Sequence, residues 1–341
     1  MEALLGCFRN IPFVEVKGIE EQSGINGFKV DFLLKLNLSG RKIKNLIVEV
    51  KSNGQPRFAR EAINLLLLSI SKLPDSYGVF VAPFISPEAA ELCSKNGIGY
   101  IDLSGNCFLS FEQVFIKQEG NRNLFVTKRN LRSLYSPIAE RALRTILSNP
   151  KRVWKVKELS LEANVSVGWV SNIKKMLNDR EWLKLDESGF SLAEPLKLLT
   201  EWSQNYNYRR NEVRDFYSMK SIPEIEADIA NACDRKGIKY ALTGFSGAAR
   251  FAPSVRYQRV IVYIQETDDN LETLLNLKAV PSGANVSILK PYDEGVFHSA
   301  VKADDTIIAS PVQIYLDLLG FRGRGEEAAE TILKEVILPK W

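Results

Sequence analysis

Three β-rich runs follow one another closely near the N-terminus: FVEVKG (13–18), GFKVDFLLKLNL (27–38) and KNLIVEVKS (44–52). The next segment, PRFAREAINLLLLSISKL (56–73), is too long and, in its second half, too apolar for a strand, and Pro56 is placed to open a helix. Ser39-Gly40, between the second and third runs, suits a hairpin turn. YGVFVAPF (77–84) is an apolar run typical of a buried parallel strand. In SPEAAELCSKNG (86–97) Ser86 caps a helix, Pro87 opens it and Gly97 ends it. IGYIDLSG and NCFLSFEQVFIKQ complete the series as strands. Three strands, a helix, a strand, a helix and more strand predict a mixed sheet with helices against it, an α/β domain over residues 1–133.

The pattern then changes. SPIAERALRTILSNP (136–150) carries Ile138, Ala142, Leu143, Ile146 and Leu147 at helical spacing and stops at Pro150. WKVKELSLEANV predicts a short second helix, and SVGWVSNIKKMLNDREWL a third, with Val167, Val170, Ile173, Met176 and Leu177 on one face. WLKLDESGFSLAEP (182–195) reads as two short strands around Glu187-Ser188-Gly189. In outline residues 134–200 form a winged helix-turn-helix. Residues 201–341 begin with a helix expected to contain Trp202, Tyr206 and Tyr208 and continue as α+β, with QRVIVYIQ as a strand and residues 309–336 as two helices hinged by a glycine- and arginine-rich loop.

Composition narrows the chemistry. The 341 residues are 45% hydrophobic and 25% charged, typical of a globular chain. They contain no apolar run of eighteen or more and no N-terminal secretory pattern, so a cytoplasmic location is expected. Cys7, Cys93, Cys107 and Cys233 form no C-x-x-C pair, which argues against a disulfide framework and a structural zinc site. His298 is the only histidine, so triad chemistry and multi-histidine metal sites have almost nothing to draw on. The net charge of +4 is unevenly spread: eleven Lys and Arg against Glu119 and Glu140 give residues 117–157 a local +9 and leave the rest at −5. Such a block is an electrostatic footprint for a polyanion.

Glu49 and Lys51 are two apart on one strand, so both point to one face, and Asp31 opens the neighbouring strand of the expected hairpin. Two converged carboxylates and a main-chain carbonyl offer oxygen ligands to Mg²⁺, and the lysine can orient or deprotonate an attacking water. On Asp31, the Glu49-Val50-Lys51 triplet, the three-strand lead-in and the helix from Arg57, the first 120 or so residues resemble the PD-(D/E)xK, restriction endonuclease-like superfamily. The resemblance implies phosphodiester hydrolysis with Asp31 and Glu49 as metal ligands. Two departures stand against activity: Val30 rather than Pro precedes Asp31, and the extra acidic residue is supplied only loosely, by Glu15, Glu20 or Glu21. Asp102 and Asn106 in YIDLSGN flank a Ser-Gly turn and read as turn residues.

In the central segment Ala163-Asn164 sits where a helix-turn-helix needs its turn, and Ser166 caps the third helix. Its outer face would present Ser166, Gly168, Trp169, Ser171, Asn172, Lys174 and Lys175 to double-stranded DNA, with Arg141, Arg144, Lys151 and Arg152 as phosphate contacts. YALTGFSGAARFAPSVRYQRVIVYI and SPVQIYLDLLGFRGRGEEAAETIL resemble the C-terminal region of the AbiEi-type antitoxin and transcriptional-regulator family of type IV toxin–antitoxin systems. That resemblance, over most of 135–338, implies a DNA-binding autorepressor paired with a toxin. GFSG (244–247) before a helix is also similar to the nucleotidyltransferase fold, but the following strand, RVIVYI (259–264), has no carboxylate to hold a metal, so nucleotidyl transfer is not expected. Gly320, Gly323 and Gly325 with Arg322 and Arg324 could make an anion nest, although a plain loop is the simpler reading.

Together these features predict a multidomain α/β and α+β protein with a restriction endonuclease-like domain (1–133), a winged helix (134–200) and a degenerate nucleotidyltransferase-like domain (201–341). The function expected is that of a DNA-binding regulator. The alternative is a Mg²⁺-dependent nuclease targeted by the winged helix.

Overall fold

The structure, a computed structural model, describes residues 2–8, 11–22, 24–25, 28–38, 42–125, 134–266, 273–303, 305–321 and 323–341. The chain divides into two compact units, Met1–Leu131 with Met176–Glu181, and Arg132–Lys175 with Trp182–Trp341.

The first unit opens with helix α1 (Glu2–Phe8), which the sequence reading did not anticipate. Its strands are β1 (Val14–Glu21), β2 (Gly24–Ile25), β3 (Phe28–Lys29), β4 (Phe32–Leu38), β5 (Lys42–Val50), β6 (Ser76–Ala82), β7 (Gly99–Asp102), β8 (Cys107–Phe111) and β9 (Val114–Gln118). Among the described residues seven of them make one sheet in the order β1-β4-β5-β6-β7-β8-β9, while β2 and β3 pair separately. β1, β4 and β5 run antiparallel, β5, β6 and β7 parallel, and β8 and β9 antiparallel again, the mixed sheet that the element order implied.

Period-two alternation splits the apolar side chains between two cores. Leu34, Leu36, Leu46 and Val48 pack with Leu4 and Phe8 of α1 on one face. Leu33, Ile47 and Phe80 pack on the other, with Ala59, Ile63 and Leu66 of α2 (Pro56–Ile70) and Ala89 and Cys93 of α3 (Pro87–Lys95). Each fully buried Leu or Ile contributes roughly 1.5–3 kcal/mol. Because both faces are covered, β6 has no need of polar alternation.

The run 27–38 does not form one strand. β3 stops at Lys29 and pairs with β2, whereas β4 starts at Phe32 and pairs with β1, with a bend between them at Asp31, whose carbonyl oxygen accepts the N–H of Gln22 (2.8 Å). The Ser39-Gly40 turn lies outside the described residues, but Leu38 and Lys42 on either side of it face each other in register. Beyond β5, a side chain at Gly54 would place its Cβ 2.1 Å from the Phe84 carbonyl oxygen. Only glycine lets this backbone bridge to Ile85, and the bridge aims the chain into α2.

The second unit begins with α4 (Pro137–Ser148), α5 (Val156–Glu162), α6 (Val167–Asp179), whose residues from Met176 on count with the first unit, and the hairpin β10 (Leu183–Asp186) and β11 (Gly189–Leu192). Ser136 caps α4 by accepting the Ala139 N–H (3.4 Å). Trp154, between α4 and α5, exchanges backbone hydrogen bonds with Phe190 (2.7 and 3.0 Å), so the hairpin gains a third extended segment. Asn164 adopts φ +51° at the turn between α5 and α6, the left-handed conformation that Asn tolerates. α7 (Pro195–Asn205) ends earlier than expected: Tyr206 is already extended, and Tyr208 lies in a separate 3₁₀ turn.

The rest of the unit is built on a mixed sheet of β12 (Glu212–Tyr217), β13 (Tyr240–Leu242), β14 (Val260–Ile264), β15 (Lys278–Ala279), β16 (Val286–Lys290), β17 (Val301–Ala303) and β18 (Thr306–Ile308). Among the described residues its order is β15-β12-β16-β14-β13-β18-β17. α8 (Ile222–Lys236), α9 (Gly244–Phe251), α10 (Pro311–Leu318) and α11 (Arg324–Ile332) complete it. Among the described residues no helix is long and apolar enough to cross a membrane. All four cysteines are reduced, and three of them are buried.

Candidate nucleic-acid interface and carboxylate site

Phe32 faces Val48 across β4 and β5, and continuing that register by one residue sets Asp31 opposite Glu49. Asp31 Oδ2 accepts the Val50 N–H at 2.7 Å, which ties the aspartate to the Glu49-Val50-Lys51 triplet. Glu49, only 5% exposed, lies on the same face as Ile47, and its Oε1 accepts from Lys51 Nζ at 2.6 Å. Burial pushes the Glu49 pKa up and the Asp31 charge adds to the shift, while Lys51 pulls against both. The three residues singled out in the sequence are therefore brought together at one end of the parallel pair β5–β6.

Two of the three loosely placed acids are engaged elsewhere: Glu15 pairs with Lys17 (2.7 Å) and Glu20 with Lys35 (2.8 Å). Among the described residues no group of three or more His, Cys, Asp or Glu is arranged to hold a metal ion. The oxygen donors Asp31 and Glu49 suit a hard cation in chemistry, and a buried carboxylate held beside a second negative charge is one that a cation would relieve. Asp102 has a different role: its carboxylate accepts from the N–H groups of Ile85, Ser104 and Asn106 and from the Asn106 side chain, at 2.8–3.2 Å. It organises its turn, as expected.

In the three-helix module Val170, Ile173 and Leu177 turn inward, whereas Val167 is 51% exposed and departs from the expected apolar face. Ser166 accepts the Trp169 N–H (3.4 Å) and closes the first turn of α6. Ser166, Gly168, Ser171, Asn172 and Lys175 are exposed, and Trp169 is half-buried. Lys174 is half-buried, with its Nζ 5.2 Å from the centre of the Phe190 ring. Lys151 and Arg152 are exposed, the Arg152 guanidinium lying over the Trp154 ring at 3.7 Å and pairing with Glu162 (2.8 Å). Lys128, Arg129 and Arg132 of the basic block lie outside the described residues.

Arg141 and Arg144 are not placed as phosphate contacts. Arg141 clasps Asp293 through Nε (2.9 Å to both oxygens) and Nη2 (2.7 Å). Arg144 is 1% exposed; its Nε donates to Gln313 Oε1 (2.9 Å), and its guanidinium lies 5.1 Å from the Trp202 ring. Burial opposes the Arg144 charge, but Tyr292 and Glu140 beside it keep the pKa raised. Glu140, with no exposed surface, accepts from Arg210 Nη1 (3.0 Å), from Trp202 Nε1 (3.4 Å) and from the Tyr292 hydroxyl. The reason is helix geometry: Glu140 and Arg144, four apart, share the buried side of α4 with Leu143 and Leu147. That i,i+4 pair of opposite charges among core leucines was the available signal, and the charge count concealed it.

The network continues to Asp317 on α10. Its carboxylate accepts from Thr243 Oγ1 (2.5 Å), Tyr206 Oη (2.7 Å) and Gln313 Nε2 (3.0 Å), with Tyr263 Oη at 2.9 Å. In GFSG, Ser246 Oγ lies 3.0 Å from both the N and the O of Ile261, seaming α9 to β14. In the glycine-rich loop, a Cβ at Gly320 would strike the Tyr208 ring at 2.2 Å and one at Gly325 the Leu318 carbonyl oxygen at 2.4 Å. Close packing thus explains these glycines, and Arg324 donates to the Arg256 carbonyl oxygen (2.8 Å). Arg322 lies outside the described residues.

No curated protein matches the chain. Two solved structures are similar over part of it: the crystal structure of a repair endonuclease from Pyrococcus abyssi (15% identity, TM-score 0.23) and the structure of EndoMS in apo form (18% identity, TM-score 0.22). Each alignment covers 30% of this chain, and the chain spans under half of either neighbour, 46% and 44%. In the second unit, residues 191–338 match the family model described as transcriptional regulator, AbiEi antitoxin, type IV TA system.

Proposed function

We propose that this chain is a cytoplasmic DNA-binding transcriptional regulator. In this reading residues 134–200 act as a winged helix on double-stranded DNA and residues 201–341 as a degenerate nucleotidyltransferase-like domain. The observation that carries it is the division of α6: Val170, Ile173 and Leu177 are buried, while Ser166, Ser171, Asn172 and Lys175 face solvent with groups that bond bases and phosphates. The match of 191–338 to a family described as a transcriptional regulator and antitoxin supports the regulator part of this reading, which we extend to autorepression beside a cognate toxin. Alanine at Asn172, Lys174 and Lys175 together is expected to abolish retention of the chain's own promoter DNA in fluorescence anisotropy. Wild-type binding is expected to weaken steeply with salt. Binding by the triple variant equal to that of the wild type would remove the assignment.

A second reading attaches to residues 1–133 as a restriction endonuclease-like domain. It is favoured by the convergence of Asp31, Glu49 and Lys51 through the Val50 N–H. Asp31 and Glu49 would hold Mg²⁺, which when bound supplies Lewis acidity toward a phosphodiester. Lys51, anchored on Glu49, would orient the attacking water. Plasmid, branched and single-stranded DNA incubated with Mg²⁺ or Mn²⁺ separate the readings: cleavage by the wild type that disappears in Glu49→Ala establishes the nuclease, and intact DNA in both leaves the regulator alone.

A further inference from the structure

We propose that the duplex taken by this module is read at A·T pairs, with Val167 against a thymine methyl group and Asn172 on an adenine. The inference rests on the DNA-binding reading above and adds its base preference. It starts from Val167, an aliphatic side chain at helix spacing from the buried Val170, which nevertheless stands 51% exposed at the first position of α6. Beside it, a Cβ built on Gly168 would meet nothing within 4 Å, so the outer side of the first turn is open space into which a base edge can come close. One turn further along, Ser171 and Asn172 are exposed, followed by Lys175.

This set of side chains matches some base edges better than others. Guanine presents two acceptors in the major groove, which a forked guanidinium matches best. Residues 166–175 contain no arginine, and Arg180, beyond the helix, donates to the Met176 carbonyl oxygen (3.1 Å). Adenine presents one acceptor and one donor, which the asparagine amide matches with its own donor and acceptor. Thymine alone carries a methyl group, and Val167, exposed where Trp169 is half-buried, is the aliphatic side chain of this face that gains by covering it. Serines at 166 and 171 accept either kind of pair, and Lys175 remains for a phosphate.

The test uses the full chain. Selection from a pool of random duplexes is expected to yield a consensus with A·T pairs at the contacted positions. Anisotropy on the selected duplex is then compared with the same duplex carrying uracil for thymine. Loss of that methyl group is expected to weaken wild-type binding about fourfold. Val167→Ala, a change at an exposed position that leaves the core intact, is expected to make the two duplexes equal. Asn172→Ala is expected to lose about tenfold and to relax the adenine position. Retention of duplex with a G·C consensus, retention without any preference, or a thymine–uracil difference that persists in Val167→Ala would overturn the base preference while leaving DNA binding standing. Failure to retain any duplex at low salt would overturn both.

Discussion

Asp317 in the second unit is enclosed by Thr243, Tyr206, Gln313 and Tyr263, whereas Glu49 in the first shares a half-open strand end with a second carboxylate, Asp31, and one ammonium, Lys51. Burial raises the pKa of both Asp317 and Glu49. The difference lies in what opposes the shift. Around Asp317 four side-chain hydrogen bonds pull back toward the charged form, so the group is fully used by its own protein. At Glu49 one lysine does so while Asp31 pushes the other way. A carboxylate whose lone pairs are all taken is architectural. One that retains an electrostatic imbalance beside solvent has capacity left for a cation, a proton or a substrate.

The contrast can be broken most severely at Arg144. Arg144→Met leaves Glu140 buried with one of its two cations gone and only Arg210 remaining, a change that costs about 3–5 kcal/mol in comparable buried pairs, read as a lower urea midpoint for the second unit. A loss below about 1 kcal/mol would show that Arg210 and Tyr292 suffice for Glu140 and that the network is less interdependent than its burial implies. A smaller effect is expected from metal. Mg²⁺ at a hundred times its dissociation constant would add about 2.7 kcal/mol to the first unit, and Glu49→Gln would remove that gain. The second unit, with Asp317 already saturated, is expected not to respond. Equal responses in the two units, or none in the first, would erase the distinction between the sites.

The smallest expected effect concerns pH. Because Glu49 is raised above its ordinary value of 4.5, the folded first unit binds more protons than the unfolded chain over the interval above 4.5. Its contribution to stability is therefore fully present below pH 4.5 and is lost as pH climbs through the folded value. Glu49→Gln abolishes that slope and, since it replaces a partly exposed ion pair, is expected to change stability at neutral pH by no more than about 1 kcal/mol. A slope of the same size in the variant would assign the titration to another group.

Much of this organisation was legible in the residues. The order of strands and helices in 13–118, the turn at Asn164, the caps at Ser86 and Ser166 and the turn role of Asp102 all depend on local chemistry, which a sequence carries explicitly. The convergence of Asp31, Glu49 and Lys51 was also legible, because an antiparallel register with a short turn leaves little freedom in what faces what. Other features were misread. The run 27–38 looked like a single strand because its break is set by pairing partners: Phe28 and Lys29 pair with Ile25 and Gly24, and Phe32 onward with β1. Tyr206 fits a helix by pattern, yet its hydroxyl is held by Asp317, 111 residues away in sequence, and the backbone there is extended.

The sequence by itself determined the element types, the register of the first hairpin and the separation of an apolar stripe from a polar face along α6, since each is set by neighbours within a few residues or across one turn. Only the tertiary structure decided which charges are free. Arg141 and Arg144 look like phosphate contacts in a basic block and are in fact committed to Asp293, Gln313 and Glu140, while Val167 looks like core and stands in solvent. The physical reason is that burial is a property of the whole packed chain. A side chain's formal charge or hydropathy states what burial would cost, and residues far away in sequence supply the partners that meet that cost or the surface that leaves it exposed.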